Sequence, residues 1–181
     1  MLGNISTNLL TIGLQNERKL ANERLKEHMR IILHEIEVMI QEKLTAISDY
    51  VSEGIDNFPV IRITEADSYT FETPRNTGTG TNYKGMLFYD LSILKLTNLP
   101  AIAHDSLLFP YISDKNICRL LQLYSEETNK QIFISFDHED NYGIKTKALL
   151  QKHMVLKLDA EGDALFGKQL GRKDAKHENT I

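Results

Sequence analysis

Between residues 16 and 53 the chain carries neither proline nor glycine, and apolar side chains recur at Leu25, Met29, Leu33, Ile36, Ile40, Leu44, Ile47 and Val51. Steps of three and four put these positions on one stripe of a long helix. Glu17, Lys19, Glu23, Lys26, Glu27, Arg30, Glu37, Gln41 and Glu42 fall on the other side, which predicts a solvated face. Two readings fit this pattern: an arm that pairs through its seam as a coiled coil, and a helix packed along its own domain. Gly54, Asp56, Asn57 and Pro59 then interrupt the helix and mark a boundary. The expected organisation is a helical arm over 1–54, an α/β lobe over 55–170 and a charged, frayed tail over 171–181.

Past the boundary the period changes. Val60-Ile61-Arg62-Ile63 and Tyr69-Thr70-Phe71-Glu72 flank the turn-like Glu65-Ala66-Asp67-Ser68 and predict a hairpin. A polar, glycine-containing loop over 73–82 leads into a helix over 83–96. An apolar run over 99–105 predicts a buried parallel strand, 117–127 an amphipathic helix, and 131–136 a second buried strand, so that strand, helix and strand form a crossover unit. A further helix over 145–153 and a strand over 154–158 complete the expected α/β order.

With 181 residues and 41% hydrophobic content, one ordinary core is affordable but two are not. A net charge of −4 supplies no general field for DNA or an anionic membrane, so DNA contact is not indicated by charge. Cys118 is the sole cysteine, which excludes an intrachain disulfide and suits a reducing compartment. The absence of any apolar run near the roughly 20 residues of a membrane span points to a cytoplasmic, soluble protein.

Ligands of an open α/β sheet gather beyond the carboxyl ends of its strands. His104, Asp105 and Ser106 are expected there, and Asp137 and His138 at the neighbouring strand end. An apolar strand ending in Asp has the Walker B layout, in which a hard Mg²⁺ ion takes a carboxylate oxygen directly or through water. Asn76-Thr77-Gly78-Thr79-Gly80-Thr81-Asn82 precedes a helix, where small residues let backbone N–H groups approach an anion; a flexible turn is the plainer alternative. It is not a Walker A loop, since Lys84 lies between Tyr83 and Gly85. His34-Glu35 has Val38 where a zinc-protease helix needs its second histidine. His104-Asp105-Ser106 cannot converge as a hydrolase triad from one strand, whose side chains alternate faces.

The order of these elements resembles the C-terminal lobe of SMC-like ABC ATPases. The wording is narrower: residues 76–85, Asp90-Leu91, Leu96-Thr97-Asn98-Leu99-Pro100, His104-Asp105-Ser106-Leu107-Leu108-Phe109 and Gln131-Ile132-Phe133-Ile134 resemble the bacterial domain-of-unknown-function family numbered 2326. That family lies at the C-terminal end of SMC-like proteins, some of them in three-component ABC-ATPase defence systems. The resemblance covers about 55–167 and implies a fold, the C-terminal half of a P-loop ABC/SMC-like head behind a returning coiled-coil helix.

It also implies roles. Thr77, Gly78, Thr79, Gly80, Thr81 and Asn82, with Lys84, would stand in place of the ABC signature motif, which contacts the γ-phosphate of a nucleotide held by the opposite protomer. Asp105 would be the Walker B aspartate and hold Mg²⁺, residues 107–113 the D-loop, and Asp137 or His138 the γ-phosphate switch. Ser106 departs from the pattern, because most ABC ATPases place there the glutamate that orients the attacking water. The Walker A half is missing as well, so ATP and Mg²⁺ would be bound only with a complementary lobe, and efficient hydrolysis by the chain alone is not expected. The implied partners are an N-terminal Walker A lobe or a second SMC-like protomer, met through head and coiled coil in a homo- or hetero-oligomer, in anti-phage defence or DNA maintenance. A start at Met1 within an arm would fit a split or remnant gene product better than an excised domain. Two readings compete: a non-catalytic scaffold that associates through the Leu25 to Val51 seam, and a small metal-dependent hydrolase using Asp105, Asp137 and His104 or His138.

Overall fold

The computed structural model describes residues 2–54 and 57–158, with side chains from residue 12. The tail expected over 171–181 lies outside the described residues. Helix α1 runs Leu2–Ser52; strands β1 (Val60–Glu65) and β2 (Ser68–Glu72) pair as an antiparallel hairpin. Helix α2 (Thr79–Leu96), strand β3 (Ala101–His104), helix α3 (Asp114–Ser125), strand β4 (Gln131–Ile134) and helix α4 (Ile144–His153) follow. Strands β3 and β4 are parallel, with Ala101 opposite Gln131 and His104 opposite Ile134, and α3 is the crossover between them. The fold is therefore α/β, with a hairpin leading in and a parallel pair behind.

Over its last quarter the long helix follows the second of its two readings and packs along its own domain. Ile40, Leu44, Ile47 and Val51 are buried against Ile61, against Leu87, Phe88, Leu91 and Leu94 of α2, and against Ile117, Leu120, Leu121 and Tyr124 of α3. Leu25, Met29 and Ile36, further up the same stripe, are exposed. The last quarter of α1 is thus core, while its middle stands free of the lobe among the described residues. Burying such aliphatic side chains contributes about 1.5–3 kcal/mol each relative to leaving them exposed.

Two side chains expected on the solvated face are not solvated. Gln41 accepts from the Ile61 N–H at 3.0 Å and donates to the Pro59 carbonyl at 3.0 Å, and Glu37 accepts from the Ile63 N–H at 2.7 Å. One turn apart on α1, these polar groups satisfy alternate N–H groups along the open edge of β1, an edge that would otherwise be a template for stray pairing. Helical period alone could not have told a solvated carboxylate from one that caps a strand edge.

Helix α1 ends on two consecutive left-handed residues, Glu53 (φ 55°) and Gly54 (φ 68°). Helix α2 is closed by a cation: Lys130 reaches across to donate to the Leu94 carbonyl and, at 2.6 Å, to the Thr97 carbonyl. Positive charge at a helix C-terminus opposes the macrodipole and fills orphan acceptors. Lys130→Met, which keeps the apolar stem, should lower the unfolding free energy by about 1 kcal/mol in urea titration; an unchanged midpoint would mean that water replaces the ammonium without loss.

Two expectations need correction. Residues 154–158 form no strand; they run as exposed coil after α4, with Val155 97% exposed, so their apolar character is not used in pairing here. The parallel pair is also not buried on both sides. Ile102, Ile132 and Ile134 pack toward the core, but Ala103 and Phe133 look outward and Phe133 is 56% exposed. Among the described residues, neither outer edge of the pair is joined by a third strand. A parallel sheet normally has both faces covered, and among the described residues one face of this one is open.

Candidate functional site

Strand β3 delivers its last residues to two environments. His104 points inward and is 4% exposed. Its Nε2 lies 3.1 Å from Oδ2 of Asp90 on α2, and its Nδ1 lies 3.0 Å from the Tyr124 hydroxyl on α3. Burial, with the charge of Asp90 behind it, pushes the Tyr124 hydroxyl well above the usual tyrosine range. Tyr124 therefore keeps its proton and donates it to Nδ1, which leaves the Nε2–H for Asp90. With both nitrogens engaged, His104 is not offered to a metal or substrate, and the hydrolase arrangement that used it loses a ligand. Among the described residues no group of three His, Cys, Asp or Glu is disposed to hold a metal.

Asp105 and Ser106 point the other way, to the exposed carboxyl end of the sheet. The Asp105 carboxylate accepts from the Leu107 N–H at 3.2 Å and so caps the short 3-10 turn Ser106–Leu108. The Ser106 hydroxyl lies 3.1 Å from Oδ1 of Asp105 and 2.8 Å from Oδ2 of Asp137. The parallel register makes this possible, since the His104 carbonyl accepts from the Ser135 N–H at 3.0 Å and holds the two strand ends level. One hydroxyl carries one proton, so it cannot fully satisfy two carboxylates at once; the remaining oxygens face solvent, where a hard cation or its bound water would find oxygen ligands. His138, next along, is exposed and left-handed (φ 52°), a conformation that costs a non-glycine residue about 1 kcal/mol. It makes no side-chain cap to the turn that it opens.

The glycine-containing loop forms a separate surface. Helix α2 starts at Thr79, four residues earlier than the apolar period suggests, so Thr79, Gly80, Thr81 and Asn82 are its first turn and not loop. Its N-cap, Gly78, has no side chain to occupy the leading N–H groups, and Thr77 sits just outside. Asn76 accepts from the Gly78 N–H at 3.3 Å and sets the approach to the helix. A cleft of about 480 Å³ opens there, walled by Gly78, Gly80 and Thr81, by Ser113 and Lys115 at the start of α3, and by Glu53 at the end of α1. Lys84, 8% exposed, extends into its wall and donates to the Ser52 hydroxyl at 3.3 Å. Two helix N-termini and two lysines give the cleft an anion-attracting character.

Neither Asp105 nor Asp137 lines this cleft. The predicted residues are thus gathered on two separate surfaces, an acidic one at the sheet end and a cation-rich one at the start of α2. The pattern of residues gave no sign of the Asp90, His104 and Tyr124 chain or of Glu53 and Lys115, because their proximity depends on how three helices pack.

A family model described as "Uncharacterised protein conserved in bacteria (DUF2326)" matches residues 47–170, well over half of the chain. No curated protein matches. Several solved structures are similar, and two of them show the extent of the likeness. One, described as the crystal structure of the SmcHead bound to the C-winged helix domain of ScpA, is 14% identical with a TM-score of 0.48; the match covers 62% of this chain and 37% of that one. The other, described under the structural biochemistry of ATP-driven dimerization and DNA stimulated activation of SMC ATPases, is 14% identical with a TM-score of 0.47, over 65% of this chain and 76% of that one. The chain spans little more than a third of the first of these.

Proposed function

The chain belongs to the bacterial family of uncharacterised proteins designated DUF2326, and on that footing we propose that it is the C-terminal lobe of an SMC-like ATPase head, completing a composite ATP and Mg²⁺ site with a Walker A lobe carried elsewhere. The observation that carries this reading is the unfinished parallel pair: β3 and β4 leave one face and both outer edges open among the described residues, and hold a carboxylate pair at the end where ligands of such sheets bind. A complementary lobe would cover Phe133 and bring the phosphate cradle that this chain lacks.

In this reading Asp105 contacts the metal directly or through water, and Asp137, drawn in by Ser106, supplies the water-orienting carboxylate that Ser106 itself cannot. His138 stands at the γ-phosphate switch. The half-site formed by Thr77, Gly78, Thr79, Gly80, Thr81 and Asn82, with Lys84, takes a phosphate from the opposite head, which accounts for its separation from the carboxylates. Mg²⁺ when bound supplies charge neutralisation at the phosphates; the chain's own residues position it and the attacking water. The exposed Leu25, Met29, Ile32, Ile36 and Met39 recur in alternating steps of four and three and support pairing of α1 with a second helix, so the arm can serve assembly whether or not the head turns over ATP. A role in anti-phage defence or DNA maintenance, in the cytoplasm, goes with the family resemblance. No described helix is long and apolar enough to cross a membrane.

The test is Mg²⁺-dependent ATP turnover by the purified chain, with and without the matching Walker A lobe. Turnover should appear only in the mixture and fall by about tenfold in Asp105→Asn, equivalent to the loss of about 1.4 kcal/mol of transition-state stabilisation. Equal rates with and without the chain would leave the scaffold reading in its place.

A further inference from the structure

Just past the end of α1 a carboxylate adds a polar tie to α3, beside the buried contacts of Ile47 and Val51 with that helix. Glu53 pairs with both Lys115 and Arg119. Arg119 is committed further: it donates to the Tyr50 carbonyl at 2.6 Å, and its guanidinium carbon lies 5.8 Å from the Tyr50 ring centroid. Lys115 is 61% exposed in its side chain, on a flexible stem in the first turn of α3. The hydrogen bond from Lys115, with the charge of Arg119 behind it, holds the Glu53 carboxyl below the ordinary carboxylate range.

Glu53 and Lys115 also line the cleft at the start of α2, where Glu53 is the sole acidic side chain among the described lining residues. Next to two helix N-termini and two lysines, its carboxylate occupies the electrostatic position that an anionic ligand would want. We propose that the Glu53–Lys115 pair is an exchange latch: a phosphate group entering the cleft takes Lys115 from Glu53, so that filling the head loosens the last turn of the α1 arm from α3. This rests on reading the cleft as the phosphate-contact half-site. The exchange is cheap because an exposed ion pair is weak and Lys115 only changes one anionic partner for another. Arg119 keeps its hold on the Tyr50 carbonyl, so the arm is loosened and not released.

Pyrophosphate titrated calorimetrically into the purified chain at low salt is the test, with hydrogen exchange of the α1 amides over 48–52 as second readout. Glu53→Gln should bind pyrophosphate about fivefold more tightly and Lys115→Gln about fivefold more weakly. Pyrophosphate should speed exchange over 48–52 in the native chain and change it little in Glu53→Gln, where the latch is already open. Binding that weakens in Lys115→Gln and is indifferent to Glu53→Gln overturns the latch and leaves the phosphate half-site standing. No binding by the native chain or by Glu53→Gln overturns the half-site reading, and the latch with it.

Discussion

Gly80→Ala should destabilise the chain by about 2 kcal/mol or more, although alanine is the better helix former. At the second position of α2, the helix propensity of alanine over glycine is worth about 1 kcal/mol in favour of the substitution. A Cβ placed there, however, would lie 2.1 Å from the Tyr111 carbonyl oxygen and 3.0 Å from the Tyr111 carbonyl carbon. Both are backbone atoms of the turn in which the Ile112 N–H bonds the Phe109 carbonyl at 3.0 Å, and neither can swing aside as a side-chain tip would. Overpacking of this kind costs about 1–3 kcal/mol, occasionally more, and at this distance it outweighs the propensity gain. Two glycines serve as internal controls. At Gly78, which has an ordinary φ of −63°, an added Cβ would sit 3.4 Å from Asn76 Oδ1, and Gly78→Ala should stay within about 0.5 kcal/mol of the native chain. At Gly85, inside α2, it would meet Phe71 and Pro59 at 3.5–3.7 Å, so Gly85→Ala should stabilise by up to about 1 kcal/mol. Urea denaturation of the three variants decides it. If Gly80→Ala melts with Gly78→Ala, the contact with Tyr111 is looser than its geometry says. For probing the half-site without disturbing the fold, Gly78 is the position to change.

The same glycine shows what the sequence could and could not say. The Thr-Gly-Thr-Gly-Thr run reads as an anion-contacting loop or a flexible turn, and in the fold Thr79, Gly80 and Thr81 are helix, with Gly78 as the N-cap. Gly80 has a different reason, the passage of the Tyr111 backbone, and Tyr111 is distant in sequence. Elements whose signal is local were legible. The hairpin, α2, α3, α4 and the parallel pair all follow from period and turn residues, and the termini shift by a few positions at most. The 154–158 strand failed because β-forming residues make a strand only beside a partner, and none of the described strands lies there. The Glu37 and Gln41 contacts failed because period assigns a helix face, not what comes to lie against it. The nearness of Asp105 to Asp137 could be anticipated, since it needs nothing beyond parallel strands in register. The role of Ser106 between them could not, since it depends on the turn that Asp105 caps.

His104 is the other such case, and replacing it should have the second large effect. In the sequence it stands beside Asp105 and invites a catalytic reading; in the fold it is a buried tie among α2, β3 and α3. His104→Ala removes a buried ring and strands the Tyr124 hydroxyl, which is itself buried and holds its proton. The cavity and the orphaned donor together should cost about 3 kcal/mol. Tyr124→Phe keeps the packing and strands only Nδ1, at a cost of about 1–2 kcal/mol. Because the two side chains share one hydrogen bond, the double variant should be less damaged than the sum of the singles, with a coupling of about 1 kcal/mol in urea titration. Strict additivity would mean that the hydroxyl and the ring do not interact. The consequence reaches the acidic half-site through the backbone: the His104 carbonyl holds the Ser135 N–H, and that bond keeps level the strand ends that carry Asp105 and Asp137. A β3 end that is no longer anchored by its imidazole should let the two carboxylates drift from Ser106. On the proposed composite site, His104→Ala should therefore lower ATP turnover in the two-lobe mixture even at temperatures where the variant is folded, and Tyr124→Phe should lower it less, in the same order as their stabilities.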